Sequence, residues 1–209
     1  MRPGQQNAGV GRELLARAFP ADAPGATERA IIATIDERAL SRYLRAGVYP
    51  RFPIYEFFRQ PEPVSVPTDL EIVPLADVPE PLAALAALDE IVMGHRRDID
   101  HAWLMDTRQG YLYRRAGQPV GYGYHGQFMG PFAVLDPADM PAALAHAETA
   151  WHAQGYDRLG FELPLINTTA VDYLLGRGYR LESFFANFMS SVPFGKFEHY
   201  VCTSPLFFV

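Results

Sequence analysis

The residues with the clearest chemical potential lie near the start of the chain. Gln6-Asn7-Ala8-Gly9-Val10-Gly11-Arg12 is a glycine turn that runs into a short helix predicted over residues 9–19. The first turn of a helix presents backbone N–H groups without intrahelical partners, and a phosphate-bearing anion can take those bonds. Glycine at positions 9 and 11 removes the Cβ atoms that would hold such a group away from the backbone. A second candidate is Tyr43, in a helix predicted over residues 37–46. Its phenol can donate a proton, although the same residue type suits packing at a helix–sheet junction.

Other constellations carry less. Among the six histidines, His95 and His101, and likewise His146 and His152, stand six apart and so do not share a helix face as an i,i+4 metal pair would. No metal site is expected. Cys202 is the only cysteine, which excludes an intrachain disulfide and a cysteine-based zinc site. Neither it nor Ser190-Ser191 lies in a nucleophile elbow. Gly121-Tyr122-Gly123-Tyr124-His125 alternates glycine along a predicted strand, a pattern that marks close approach by a ligand or by another backbone. Tyr122, Tyr124, His125 and Glu162 are the polar candidates for a ligand cleft in that region, with Asn167 beside them.

These residues need positioning elements. After the helix over 9–19, the apolar β-branched run at 30–35 predicts a buried strand; Asp36 caps a helix over 37–46, and Gly47 ends it. Residues 48–58 are aromatic strand material interrupted by Pro50 and Pro53. Residues 60–68, with three prolines, form a semi-rigid extended linker. A second series follows: a strand at 70–75, helices at 79–92 and 98–106, a hairpin of 111–115 and 120–124, and a strand at 128–135. A helix at 139–154, a strand at 158–163, a helix at 168–177 and strand again over 180–192 complete it. The aromatic-rich C-terminal stretch, 184–209, is expected to be buried, within the chain or in a dimer.

The two series repeat. Residues 36–47 align without a gap on residues 167–178, bringing Ala39 onto Ala170, Leu44 onto Leu175 and Gly47 onto Gly178. The order helix–strand–helix–strands occurs twice, and only the second occurrence is preceded by a strand, two helices and three strands. Gln6 to Gly11 matches the Q/R-x-x-G-x-G/A loop of the GCN5-related N-acetyltransferases (GNAT), in its usual place at a helix start. Ala39, Tyr43 and Gly47 match a further signature of that family, with Asp36 at its asparagine position and Val48 at its aromatic one.

The chain thus resembles the tail of a tandem GNAT protein. The resemblance implies an α/β (α+β) GNAT acyl-CoA N-acyltransferase fold, a mixed central sheet flanked by helices, as the C-terminal half of one copy plus one complete copy. The expected organisation is residues 1–60 as the half domain, 61–68 as the proline-rich linker and 69–209 as the complete domain. The resemblance further implies acetyl-CoA as co-substrate, its pyrophosphate held by Gln6, Asn7, Ala8, Gly9, Val10, Gly11 and Arg12. Tyr43 is the acid for the departing thiolate, and the acceptor is an amine on a small molecule or peptide. The first copy lacks the counterparts of strands one to four.

In the second copy the equivalent loop reads Leu135-Asp136-Pro137-Ala138-Asp139-Met140-Pro141. Its aspartates repel phosphate and can cap the helix themselves, and its prolines lack N–H groups. Leu174 stands where Tyr43 stands in the first copy, and Tyr173 is one residue early. Asn167 and Gly178-Tyr179 keep the scaffold signature. A non-catalytic GNAT-like binding or dimerisation module is therefore the alternative to an acyltransferase, and completion of half domains between two chains is a third arrangement.

Composition agrees with a globular protein: 209 residues, 49% hydrophobic and 20% charged. The net charge of −6 excludes broad basic-surface nucleic-acid binding. No signal peptide or membrane-spanning run is evident in the sequence, which predicts a cytoplasmic protein.

Overall fold

The computed structural model of the protein describes residues 9–19 and 28–204. Its helices are α1 (Val10–Ala18), α2 (Glu37–Arg45), α3 (Pro81–Val92), α4 (Asp98–Thr107), α5 (Met140–Ala153) and α6 (Thr168–Gly176). Its strands are β1 (Ala30–Ala33), β2 (Tyr49–Arg59), β3 (Glu71–Pro74), β4 (Gln109–Arg115), β5 (Gln118–His125), β6 (Phe132–Val134), β7 (Leu159–Pro164), β8 (Arg180–Ser190) and β9 (Tyr200–Val201). The expected elements are present with shifted ends, except that β1, expected as a buried strand, buries only Ala33 because it has a single strand neighbour. The strand expected over 128–135 is confined to β6, and Pro131, which has no N–H to give a ladder, immediately precedes it.

The strands form two sheets, of order β1-β8-β2-β7 and β3-β4-β5-β6-β9. The second is antiparallel throughout. The described residues divide into two compact units, one within 9–52 and 186–193, leaving out 20–27, the other of 53–185 and 194–204.

In the first unit β1 runs antiparallel to the end of β8, with Ala30 opposite Ser190 and Ala33 opposite Asn187. Ala33, Val48 and Met189 form its small buried core, against which Phe19, Ile31, Leu40 and Tyr43 pack. In the second unit β2 pairs with β7 from Ile54 opposite Pro164 to Arg59 opposite Leu159. Its core is much larger: Phe132, Phe161, Leu144 and Leu163 at the centre, with Ala143 and Ala147 of α5 letting that helix approach the sheet.

The sequence repeat is also a repeat of local geometry. The Asp36 side chain accepts from the Ala39 N–H at 2.8 Å, and the Asn167 side chain accepts from the Ala170 N–H at 3.1 Å. At the other end Val48 N–H donates to Tyr43 C=O and Gly47 N–H to Leu44 C=O, while Tyr179 and Gly178 donate to Leu174 and Leu175 in the same pattern. This is the Schellman cap, and the glycines adopt its left-handed conformation, φ 76° at Gly47 and 81° at Gly178.

Residues 61–68 contain no regular element and are fastened along α5. Val64 exchanges two hydrogen bonds with the Thr149 hydroxyl, at 3.0 and 2.8 Å, and Glu62 N–H donates to Glu148 Oε1 at 3.2 Å. The glycines of β5 serve the sheet itself. A Cβ at Gly121 would lie 2.6 Å from the Ala133 carbonyl oxygen, and one at Gly123 would collide with the Phe132 ring. Of the two causes that the alternation allowed, close approach of the neighbouring strand β6 is the one observed.

Candidate functional site

The glycine turn opens α1 as the sequence predicts. Gly9 is the N-cap, left-handed at φ 80°, and no side chain caps the helix. Its first-turn N–H groups are therefore free of a side-chain competitor. Arg12 is exposed, and a Cβ at Gly11 would lie 2.9 Å from Nη1 of Arg42, so a guanidinium from α2 stands beside the first turn. The dipole of α1 and Arg42 both favour an anion there. Gln6, Asn7 and Ala8 lie outside the described residues. Tyr43, one residue on from Arg42, is half-buried with its ring against the first unit's core.

The corresponding turn of the second unit is closed chemically. Asp136 accepts from the Ala138 N–H at 2.9 Å and so caps the short turn that precedes α5. Asp139 does not cap: the structure corrects that expectation, because Arg115 of β4 takes its carboxylate at 2.7 Å while also pairing with Asp69. The flanking strand β6 is occupied as well. β9 runs antiparallel along it, Phe132 opposite Val201 and Ala133 opposite Tyr200. Cys202 N–H then donates to Glu162 C=O of β7 at 2.9 Å. Residues 200–202 of the aromatic-rich C-terminal stretch thus bond to β6 and β7 of the second unit, whereas residues 187–190 pair with β1 in the first unit and Phe184, expected to be buried, is exposed.

The polar candidates of the second unit separate into distinct environments. Tyr122 and Tyr124, on one face of β5, are fully buried in a network that sequence reasoning missed. Asp89 accepts from Arg97 Nε and Nη2, at 2.9 and 2.8 Å, from Tyr122 at 2.7 Å, and contacts His101 Nε2 at 2.8 Å. Arg97 also donates to Tyr200 and Tyr122, and His101 Nδ1 lies 2.8 Å from Tyr124 Oη. Burial opposes ionisation of Asp89, but the bonds from His101 and Arg97 outweigh it and hold the carboxyl well below the usual range. The one sequence signal was a carboxylate at position 89 beside the apolar stripe of α3.

His125 points to the opposite face of the same strand. Its ring lies tilted against those of Tyr111 and His146, at 4.6 and 4.8 Å between centroids, with both ring nitrogens buried and without a hydrogen-bond partner among the described residues. Burial, reinforced by His146, depresses its pKa to about 3. Asn167 is structural: it caps α6 and donates to the Tyr200 carbonyl at 3.1 Å.

Glu162 faces a cavity. Some 280 Å³ is enclosed by Glu56, Gln127, Phe128, Met129, Arg158, Gly160, Glu162 and Ser204. Glu162 sits directly across from Glu56 in the β2–β7 ladder. One carboxyl oxygen accepts from the Ser204 hydroxyl; the other is buried without a partner among the described residues. Burial raises its pKa; the Ser204 bond opposes that, Glu56 adds to it, and Arg108 draws it down. A carboxyl so placed can accept a proton from an ammonium group or bind one. Among the described residues no group of three His, Cys, Asp or Glu side chains could hold a metal ion, and no helix is long and apolar enough to cross a membrane.

No family model matches the sequence, and no curated protein matches it either. Solved structures do. A candidate acetyltransferase of Pyrococcus horikoshii superposes with a TM-score of 0.66 at 14% identity, over 93% of this chain and 64% of that one. A GCN5-related N-acetyltransferase from Sphaerobacter thermophilus gives 0.56 at 14% identity, over 91% and 71%. A tandem GNAT protein from the clavulanic acid biosynthesis pathway gives 0.50 at 15%, over 91% and 73%. The chain spans less than two thirds of the Pyrococcus protein's length. At these identities the likeness is one of fold, and the fold is that of the GCN5-related N-acetyltransferases.

Proposed function

We propose that this GNAT-fold chain is an acyl-CoA-dependent N-acyltransferase whose cofactor contacts lie in its N-terminal unit. The observation that carries the reading is the contrast between two equivalent turns. The start of α1 is glycine-initiated, uncapped and flanked by Arg42, whereas the turn before α5 is acidic, capped by Asp136 and bordered by β9. Gln6 to Arg12 would hold the pyrophosphate of acetyl-CoA through backbone N–H groups. Bound acetyl-CoA supplies an activated acyl thioester. Tyr43 is assigned as the proton donor for the thiolate. The acceptor is an amine on a small molecule or peptide.

Calorimetry with CoA tests the proposal. Saturable binding with at most one site per chain, lost in Gly9→Glu, is the expected result. Binding untouched by Gly9→Glu, or no binding at all, refutes it.

The second reading, a GNAT-like module without CoA binding, applies to the second unit. The acidic turn and the occupied edge of β6 favour it there. It predicts that Asp136→Gly leaves CoA stoichiometry unchanged.

A further inference from the structure

The second unit contains a cavity of about 580 Å³ walled by Phe58, Arg59, Gln60, Asp157, Arg158, Arg177, Gly178 and Arg180. It lies where the end of β2, the entry to β7, the end of α6 and the start of β8 converge. Four of its wall residues are arginines and one is an aspartate.

Three of the arginines are held from behind by carboxylates that do not line the cavity. Arg59 and Arg177 share the buried Glu148, at 3.6 and 3.0 Å. Arg59 also pairs with Glu62, and its guanidinium donates to the Arg177 carbonyl. Arg158 stands 3.9 Å over the Phe58 ring and pairs on its outer side with Glu56 and Glu182. Such bracing fixes the guanidinium planes while leaving further N–H donors available, since each carries five.

Two features go beyond a set of surface ion pairs. Nε of Arg177 is buried with no partner among the described residues. Arg180 is exposed at the cavity wall and makes no ion pair among the described residues. Near the end of α6 the carbonyls of Tyr173, Leu174 and Leu175 are taken by its C-cap and that of Arg177 by Arg59. The exposed guanidinium of Arg180 and that of Arg158 therefore offer cationic N–H donors to a concave site of small-molecule size.

We propose that this cavity binds a small molecule through a phosphate or pyrophosphate group, with Arg180 and Arg158 meeting the anion. The site shares no residue with the N-terminal turn of α1 and does not depend on the acyltransferase reading.

The test is calorimetric titration of the whole chain with inorganic pyrophosphate at fixed ionic strength, with sulfate as the control for simple ionic screening. Saturable binding is expected, weakened at least about 10-fold by Arg180→Ala and less by Arg180→Lys, which keeps a point charge without the fork. Gly9→Glu should leave it intact. Circular dichroism melts verify that each variant is folded. Absence of binding at about 10 mM pyrophosphate, a ligand level that would otherwise raise the melting temperature, overturns the proposal. So do equal affinities for wild type and Arg180→Ala, and loss of binding only in Gly9→Glu, which would assign the anion to α1.

Discussion

Acidification should destabilise the second unit through one residue, His125. Its ring is 3% exposed, packed among Tyr111, Phe132 and His146, and neither nitrogen has a partner among the described residues. Burial lowers its folded-state pKa to about 3, against an ordinary value near 6.5. The unfolded chain therefore binds a proton over that interval and the folded chain does not. Stability is fully present above about pH 6.5 and is lost as pH falls toward 3, at up to about 1.4 kcal/mol per pH unit. The whole interval corresponds to roughly 4–5 kcal/mol if the depression is realised in full. His146, also depressed by burial, acts in the same direction.

The assay is urea unfolding followed by tryptophan fluorescence at intervals from pH 7 to pH 4.5, for wild type and His125→Phe. The variant removes the proton acceptor together with two buried unpartnered nitrogens, so at pH 7 it should be as stable as wild type or more so. Below pH 6 the two curves should diverge, and by pH 4.5 the variant should be ahead by about 2 kcal/mol or more. The subtraction cancels the carboxylates, because both proteins carry the same set. Should the larger ring be overpacked, His125→Leu provides the same comparison. Parallel curves for wild type and both variants would refute the argument, since the proton linkage would then reside elsewhere.

Asp89→Asn should cost about 3–5 kcal/mol in the same unfolding assay, because it leaves Arg97 buried without its bidentate carboxylate; a loss below about 1 kcal/mol would show that Tyr122 and Tyr200 suffice to hold the guanidinium. Gly123→Ala should lower stability by about 1–3 kcal/mol or more, as the new methyl meets the Phe132 ring, and Phe132→Leu should recover part of that loss. Asn167→Ala should cost at least about 1 kcal/mol through the lost cap, and more than Asp36→Ala, because Asn167 also holds the Tyr200 carbonyl.

Legibility of the fold followed the range of the interactions. Caps, glycine stops and the repeat are local patterns, so the correspondence of Asp36–Gly47 with Asn167–Gly178 was readable and its geometry is duplicated bond for bond. Strand pairing is not local. Nothing in residues 180–190 says that the end of β8 pairs with β1, nor in residues 200–202 that β9 joins β6 and then reaches β7. The site residues divide in the same way. Gly9 and Asp136 were assigned by their position at helix starts. Arg97, His101 and Tyr200 come from α4 and its preceding turn and from a strand about a hundred residues later, and only packing brings them to Asp89.

The same division separates the helix starts of α1 and α5, which differ chemically, from the caps of α2 and α6, which share one geometry. A helix cap is satisfied within a dozen residues, so Asn167 with Ala170 and Gly178 with Leu175 keep their geometry whatever the rest of the copy binds. An anion cradle has no such independence: it works only while the helix N–H groups stay uncapped and the neighbouring edge stays open. At the turn before α5 neither condition holds. Asp136 supplies an internal acceptor, and Tyr200 to Cys202 supply a strand for β6 and a bond to β7. Each of these changes satisfies backbone groups that a bound cofactor would otherwise meet, and each stabilises the unit without a ligand. Restoring glycine at position 136 would therefore free N–H groups without reopening the edge, and CoA binding in the second unit should not return.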